Sequence, residues 1–218
     1  MGTSNETLTP AHVDEAGLAD WRMLYRSLHT RLRTGDFATG LRLVAEVGAA
    51  AEELNHHPDL DLRYGHLNVQ LTSHDAGGVT ERDLTLARRI SDIAAAMGVV
   101  AEPGAVQVLD VALDSPDWSA IRPFWLAVLA GDDPGLPDEV RNDAGQFQCL
   151  WFQQSGDQEP RQRFHLDVMV PAEEAQPRIA AALAAGGVLV SDAEPSFTVL
   201  ADPEGNKVCV CTPTGREG

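Results

Sequence analysis

Glu52-Glu53-Leu54-Asn55-His56-His57-Pro58 and Thr72-Ser73-His74-Asp75-Ala76-Gly77-Gly78-Val79-Thr80-Glu81-Arg82-Asp83, with Tyr64 between them, are the stretch on which the reading of this chain turns. Three of its residues are histidines, whose unperturbed pKa of ~6.5 allows both proton donation and acceptance near neutrality. They lie near a turn, an alternating run and a glycine loop, so a helix end beside an antiparallel strand would bring them together.

Upstream, Phe37, Leu41, Val44, Gly48 and Ala51 recur at steps of three and four after Asp36. This spacing predicts an amphipathic helix running to Asn55, which delivers His56-His57-Pro58 at its end. Between Arg63 and Thr72 the period changes to two. Leu67, Val69 and Leu71 share one face, and His66, Asn68, Gln70 and Thr72 the other, as in a half-buried strand. Thr80 is an N-cap with Asp83 three residues on, and Leu84, Ala87, Ile90, Ala94 and Met97 form a second helical stripe ending at Gly98.

Ala101-Glu102-Pro103-Gly104 breaks this pattern. The expected organisation is a flexible polar tail over 1–16, a first domain over 17–101 and a second over 105–213. In the second, Leu109-Asp110-Val111-Ala112-Leu113 and Leu166-Asp167-Val168-Met169-Val170 stand 57 residues apart, each before a helix-like stretch ending in Gly. Two copies of one strand-helix-strands module explain this economically.

The chain has 218 residues, 44% of them hydrophobic, which is enough for a real core. Its formal charge of −17, from 33 acidic and 16 basic residues, repels phosphate backbones and anionic lipid heads. Nucleic-acid binding is disfavoured. No segment approaches the ~20 apolar residues of a membrane span, and the opening residues lack the basic and apolar regions of a signal peptide, so a cytoplasmic location is expected. Cys149, Cys209 and Cys211 are an odd set in the second half and do not read as a disulfide framework; Cys209 and Cys211 fall on one face of a strand-like run, where buried small apolar residues are the simple reading.

The succession Glu52, three residues, His56-His57-Pro58, five residues, Tyr64, nine residues, His74, eight residues, Asp83 resembles the signature of the pterin-4a-carbinolamine dehydratases. The resemblance runs from about Leu18 to Gly98. It implies an α+β fold with an antiparallel sheet of about four strands and helices on one face. It also implies that His56, His57 and His74 line a pterin pocket, one protonating the departing 4a-hydroxyl and another helping to take the N5 proton. Glu52, Pro58, Tyr64, Asp75 and Asp83 are the implied substrate-binding positions. No bound cofactor is required, and the reaction would serve the recycling of pterin used by aromatic amino-acid hydroxylases. The family usually carries an aromatic, commonly tryptophan, after His-His-Pro and an acidic residue, where this chain has Asp59-Leu60.

Each residue also has a plainer reading. His56 and His57 suit a helix C-terminus by charge, Asp83 suits a helix start, and Glu52 stands at the i,i+4 spacing to pair with His56. Sheet edges in so small a first domain favour a homo-oligomer, dimer or higher.

Phe124-Trp125 with Val128-Leu129, His165-Leu166-Asp167-Val168 and Asp202-Pro203-Glu204-Gly205-Asn206 resemble the glyoxalase-like, vicinal oxygen chelate superfamily, over about Ala105 to Pro213. The implied fold is two βαβββ modules around a shared cleft. Such proteins typically hold a divalent metal through His, Gln or Glu from both modules. Here His165 has Val108 as its repeat mate, with Gln107 one residue away. Cys209, with Phe152 as repeat mate, stands where a terminal carboxylate ligand would follow. No metal is expected, with His165 and Gln107 as weak candidates, and the cleft is left for a small organic molecule. Two further readings stand beside the dehydratase: a binding or oligomerisation protein that retains the fold, and an activity residing in the glyoxalase-like half as a lyase, dioxygenase or small-molecule binder.

Overall fold

Five short strands build the first sheet, Arg22–Leu24 (β1), Ser27–Arg33 (β2), Asp59–Leu62 (β3), His66–Leu71 (β4) and Val100–Ala101 (β5), with burial alternating along β2, β3 and β4. They pair antiparallel in the order β1-β2-β4-β3, with β5 on β2. These come from a computed structural model that describes residues 6–128, 136–141, 149–156, 164–201 and 207–215. It divides into two units, Met1–Gln107 with Val170–Glu174 and Thr212–Gly218, and Val108–Met169 with Ala175–Cys211.

Leu28 and Leu32 of β2 and Leu67, Val69 and Leu71 of β4 point to one face and join a single buried cluster with Leu43, Val47, Leu84 and Ile90. Those last four belong to Phe37–Leu54 (α2) and Glu81–Ala96 (α3), so the helices cover that one face. Asp36 caps α2 by accepting from the Thr39 amide, and Asn55 ends it in the left-handed region at φ 47°.

The apolar stripe expected on α2 is displaced at Phe37 and Leu41, while Ala51 is buried as expected and Val44 packs against the cluster. Gly40, Leu43, Val47, Ala50 and Ala51 are the buried positions, while Phe37 and Leu41 remain 45% and 53% exposed. Leu43 and Val47 fill the sheet face, which rotates the predicted stripe onto the flank. The expected tail also has structure: Pro10–Glu15 (α1) is capped reciprocally by Thr9 and His12 and buries Val13, and the Leu8 amide donates to the Val79 carbonyl. Six residues are too few to show a helical period in sequence.

The elements from β6 onward are Val108–Ser115 (β6), Trp118–Val128 (α4), Glu139–Val140 (β7), Leu150–Gln154 (β8), Phe164–Met169 (β9), Ala172–Ala184 (α5), Val188–Glu194 (β10), Phe197–Ala201 (β11) and Lys207–Cys211 (β12), all in the second unit except the start of α5 up to Glu174. The sheet order is β10-β11-β12-β9-β6-β8-β7. At its centre β6 and β9 run antiparallel, and each has a parallel outer neighbour, β8 and β12. Asp110 pairs with Asp167, the one register position at which the partners are also repeat mates, so a local two-fold passes between them. Val111, Leu113, Leu150 and Phe152 turn to the opposite face and pack on Trp118, Ile121 and Leu126 of α4. The fold class is α+β, with strand-helix-strands modules in the second half as expected. The Asp202-Pro203-Glu204-Gly205-Asn206 segment of the glyoxalase-like resemblance lies outside the described residues, as do Leu129 and the side chains of Phe124, Trp125 and Val128.

Candidate functional site

The left-handed Asn55 turns the chain sharply out of α2, and the His56 amide reaches back to the Ala51 carbonyl. That turn carries His56 inward, where it is 8% exposed, and leaves His57 outside. His56 Nε2 lies 2.7 Å from Oδ1 of Asp83, which is fully buried in the first turn of α3. The other carboxylate oxygen, Oδ2, accepts from Ser73 Oγ at 2.7 Å and from the Thr80 amide at 2.7 Å. Asp83 therefore closes the helix cap and holds an imidazole at once. The helix-start reading of this residue applies.

A carboxylate oxygen accepts, so the pairing places the hydrogen of neutral His56 on Nε2 and leaves Nδ1 with a lone pair. Nδ1 is then the ring nitrogen that Asp83 does not engage. The expected Glu52–His56 pair does not form: Glu52 Oε1 meets His57 Nε2 at 3.0 Å instead, because the reversal at Asn55 swings His56 off the helix axis and places His57 over the last turn.

His74 sits in an exposed loop closed by the Ser73–Gly78 bridge, with Gly77 at φ 70°. Ser73 fastens the base of this loop to Asp83, and Asp75 pairs with Arg82. The Asp59–Gln70 register places His57-Pro58 beside the Leu71-to-His74 run. His56, His57, His74, Glu52, Pro58, Asp75 and Asp83 thus gather at one end of the β3–β4 pair.

Tyr64 does not join them. It lies in the β3–β4 turn, 77% exposed, at the opposite end of β4, about 17 Å of strand away. Leu60, at the position of the usual aromatic, points to the helix side and packs against the buried cluster. Sequence reasoning missed Ser73 as a partner of Asp83. The Thr80/Asp83 capping spacing was visible, but Ser73 arrives only through the loop closure.

The second unit collects a different set. His165 Nε2 is 3.0 Å from Gln153 Oε1 and 3.5 Å from Asp114 Oδ1, and its Nδ1 is 3.4 Å from Asp167 Oδ1. The hydrogen bond to Asp167 leads in raising the His165 pKa above its ordinary value, aided by charge from Asp167 and Asp114 and opposed by burial. Trp151 Nε1 donates to Asp167 Oδ2 at 3.0 Å.

Ligand-capable atoms of His165, Asp167 and Cys209 lie within 4.8 Å of one another, all in the second module. Their counterparts are Val108, Asp110 and Cys149. The register corrects the expected mate of Cys209: Cys209 stands beside Asp167, as Cys149 stands beside Asp110, whereas Phe152 faces α4. Burial, with Glu139 nearby, pushes the Cys149 thiol up to about 12, which disfavours the thiolate that binds metals. Gln107 is exposed, precedes β6 and falls outside this unit. The described residues do not fit a metal shared between both modules.

Comparison with known proteins follows these two units. The family model described as pterin 4 alpha carbinolamine dehydratase matches residues 6–93. A putative pterin-4-alpha-carbinolamine dehydratase of Chloroflexus aurantiacus is 39% identical over 74 residues, 34% of this chain and 80% of that protein. The chain belongs to the pterin-4a-carbinolamine dehydratase family. Another such relative, from Koribacter versatilis, is 36% identical over 91 residues, covering 41% of this chain and 97% of its own length.

The family match spans every gathered residue from Glu52 to Asp83. Beyond this dehydratase-family half, a glyoxalase-like domain model matches residues 110–211. Among solved structures, a transcriptional coactivator/pterin dehydratase from Brucella melitensis is 32% identical, covering 41% of this chain and 99% of its own, with a TM-score of 0.39. A glyoxalase/bleomycin resistance protein/dioxygenase superfamily member from Vibrio splendidus is 14% identical, covering 49% and 99%, with a TM-score of 0.34. Among the described residues no helix is long and apolar enough to cross a membrane.

Proposed function

We propose that residues 17–101 form a hydro-lyase domain that dehydrates a 4a-hydroxytetrahydropterin, and that residues 105–213 form a glyoxalase-like domain. The observation that carries the first reading is the buried His56–Asp83 pair, which leaves an imidazole nitrogen available at the end of the β3–β4 pair. Family membership and the loop bearing His74 support it. In the reaction an acid protonates the 4a-hydroxyl, the C4a–O bond breaks and water leaves. A base removes the N5 proton, and its electron pair completes the C4a=N5 double bond. His56, His57 and His74 supply the acid and the base. Proton transfer by positioned groups contributes typically 10²–10⁴-fold.

The test is the rate of 4a-hydroxytetrahydropterin dehydration, followed by ultraviolet absorbance, for the wild type and His74→Ala. His74 is exposed, so its loss should leave folding intact. A rate above the spontaneous one that His74→Ala removes is the expected result. No acceleration by the wild type would reject the dehydratase in favour of a domain that binds pterin without turning it over.

A further inference from the structure

The Asp83 carboxylate is loaded on both oxygens, and the load on Oδ2 comes from two hydroxyl-bearing residues outside the expected site. The Arg82 amide donates to Thr80 Oγ1 at 3.2 Å. Thr80 Oγ1 lies 2.8 Å from Ser73 Oγ, and Ser73 Oγ lies 2.7 Å from Asp83 Oδ2. Asp83 can only accept, so Ser73 donates to it; Thr80 Oγ1 approaches both Asp83 Oδ2, at 3.4 Å, and Ser73 Oγ, and its single hydrogen goes to the shorter contact with Ser73. The hydrogens run one way, from Thr80 through Ser73 to Asp83. Ser73, Thr80 and Asp83 are each no more than 1% exposed, so water does not compete for this order.

Two consequences meet at His56. With Oδ2 occupied by the Ser73 hydroxyl and the Thr80 amide, the carboxylate cannot rotate without leaving buried donors unmatched, and Oδ1 stays aimed at His56 Nε2. The other end of Ser73 is the backbone bridge that closes the His74 loop. One residue therefore touches both the carboxylate that meets His56 and the base of the loop that carries His74.

We infer that Ser73 is a positioning residue: its hydroxyl, oriented by Thr80, locks Asp83 so that His56 is held with its hydrogen on Nε2 and exchanges protons through Nδ1. This rests on the dehydratase reading for its catalytic consequence, but the tautomer of His56 is a property of the fold and can be read without substrate.

The experiment uses the full chain with ¹⁵N-labelled histidine and compares the wild type, Ser73→Ala and Ser73→Thr. Long-range ¹H–¹⁵N correlation spectra report which ring nitrogen of His56 carries hydrogen, with His56→Gln assigning the signal. Turnover of 4a-hydroxytetrahydropterin is measured in parallel. The wild type should show the Nε2–H tautomer. Ser73→Ala should introduce the Nδ1–H form and lower kcat roughly tenfold with KM little changed, and Ser73→Thr should restore both. An Nδ1–H tautomer in the wild type, or a Ser73→Ala protein that keeps both the wild-type tautomer and kcat, would overturn the inference. A loss of thermal stability in Ser73→Ala with an unchanged tautomer and kcat would also overturn it, by making the serine merely structural. Absence of turnover in the wild type would defeat the dehydratase reading alone, and the tautomer would still decide the role of Ser73.

Discussion

His56 and Asp83 are 27 residues apart in the chain and 2.7 Å apart in the fold, joined Nε2 to Oδ1 where one helix has just ended and the next has just begun. The contact ties the C-terminus of α2 to the N-terminus of α3. It also uses one carboxylate both as a helix cap and as the anchor of an imidazole.

Removing that carboxylate should cost more than a cap. Asp83→Ala leaves the Ser73 hydroxyl, the Thr80 amide and His56 Nε2 without their buried acceptor. A lost cap costs about 1 kcal/mol, and each abandoned buried donor about 1–3 kcal/mol. A loss of about 3 kcal/mol or more is expected in urea unfolding of the full chain. Asp83→Asn should retain part of the cap. A midpoint within error of the wild type for Asp83→Ala would contradict the buried network.

Asn55 directs both histidines, and its φ of 47° suits Gly or Asn far better than a β-branched residue. Asn55→Val should destabilise the protein by about 1–2 kcal/mol and reduce dehydration by disturbing His56 and His57 together. Asn55→Gly should be close to neutral in both. Thermal melting and turnover of the two variants check this, and equal behaviour of Val and Gly would deny that the left-handed turn matters.

His57 and His56 should separate stability from chemistry. His57 is exposed and meets an exposed Glu52, so His57→Ala is expected to leave the melting temperature nearly unchanged while lowering kcat by about 10²-fold or more. His56→Ala removes a buried partner of Asp83 and should lower both. A His57→Ala protein with wild-type kcat would remove that residue from the acid–base set.

In the second unit, the hydrogen bond that His165 donates to Asp167 raises the His165 pKa above about 6.5. A raised pKa means the folded state binds the proton more tightly than the unfolded chain. The stabilisation is therefore fully present below about pH 6.5 and fades as pH rises through the folded value. His165→Gln should lower the melting temperature most at acidic pH, with the gap to wild type closing towards alkaline pH. A gap that widens with rising pH would reverse the assignment.

Much of this was legible locally. The capping box at Thr80 and Asp83, the stop at Asn55 and the alternation through Leu67, Val69 and Leu71 were readable because each depends on neighbours within a few residues. The six-residue α1 and the four-residue β3 were too short to carry a period, and Asp59 and Asp61 are poor strand formers. The rotation of α2 is not encoded locally, because Phe37 and Leu41 are as apolar as Leu43 and Val47, and only packing against the sheet chooses between the two faces.

The sequence by itself determined where α2 and α3 begin and end, that the second half repeats with a 57-residue offset, and that three histidines and several carboxylates accompany a pterin-dehydratase signature. Only the tertiary structure decided which carboxylate meets which imidazole, that Ser73 completes the set, that Tyr64 stands apart, and that Cys149 rather than Phe152 answers Cys209. The division has a physical cause. Caps and periodicity follow from hydrogen bonds and side-chain contacts within one turn or one pleat. The partners of a buried side chain are set by how separate elements pack and by strand register, and no local pattern encodes these.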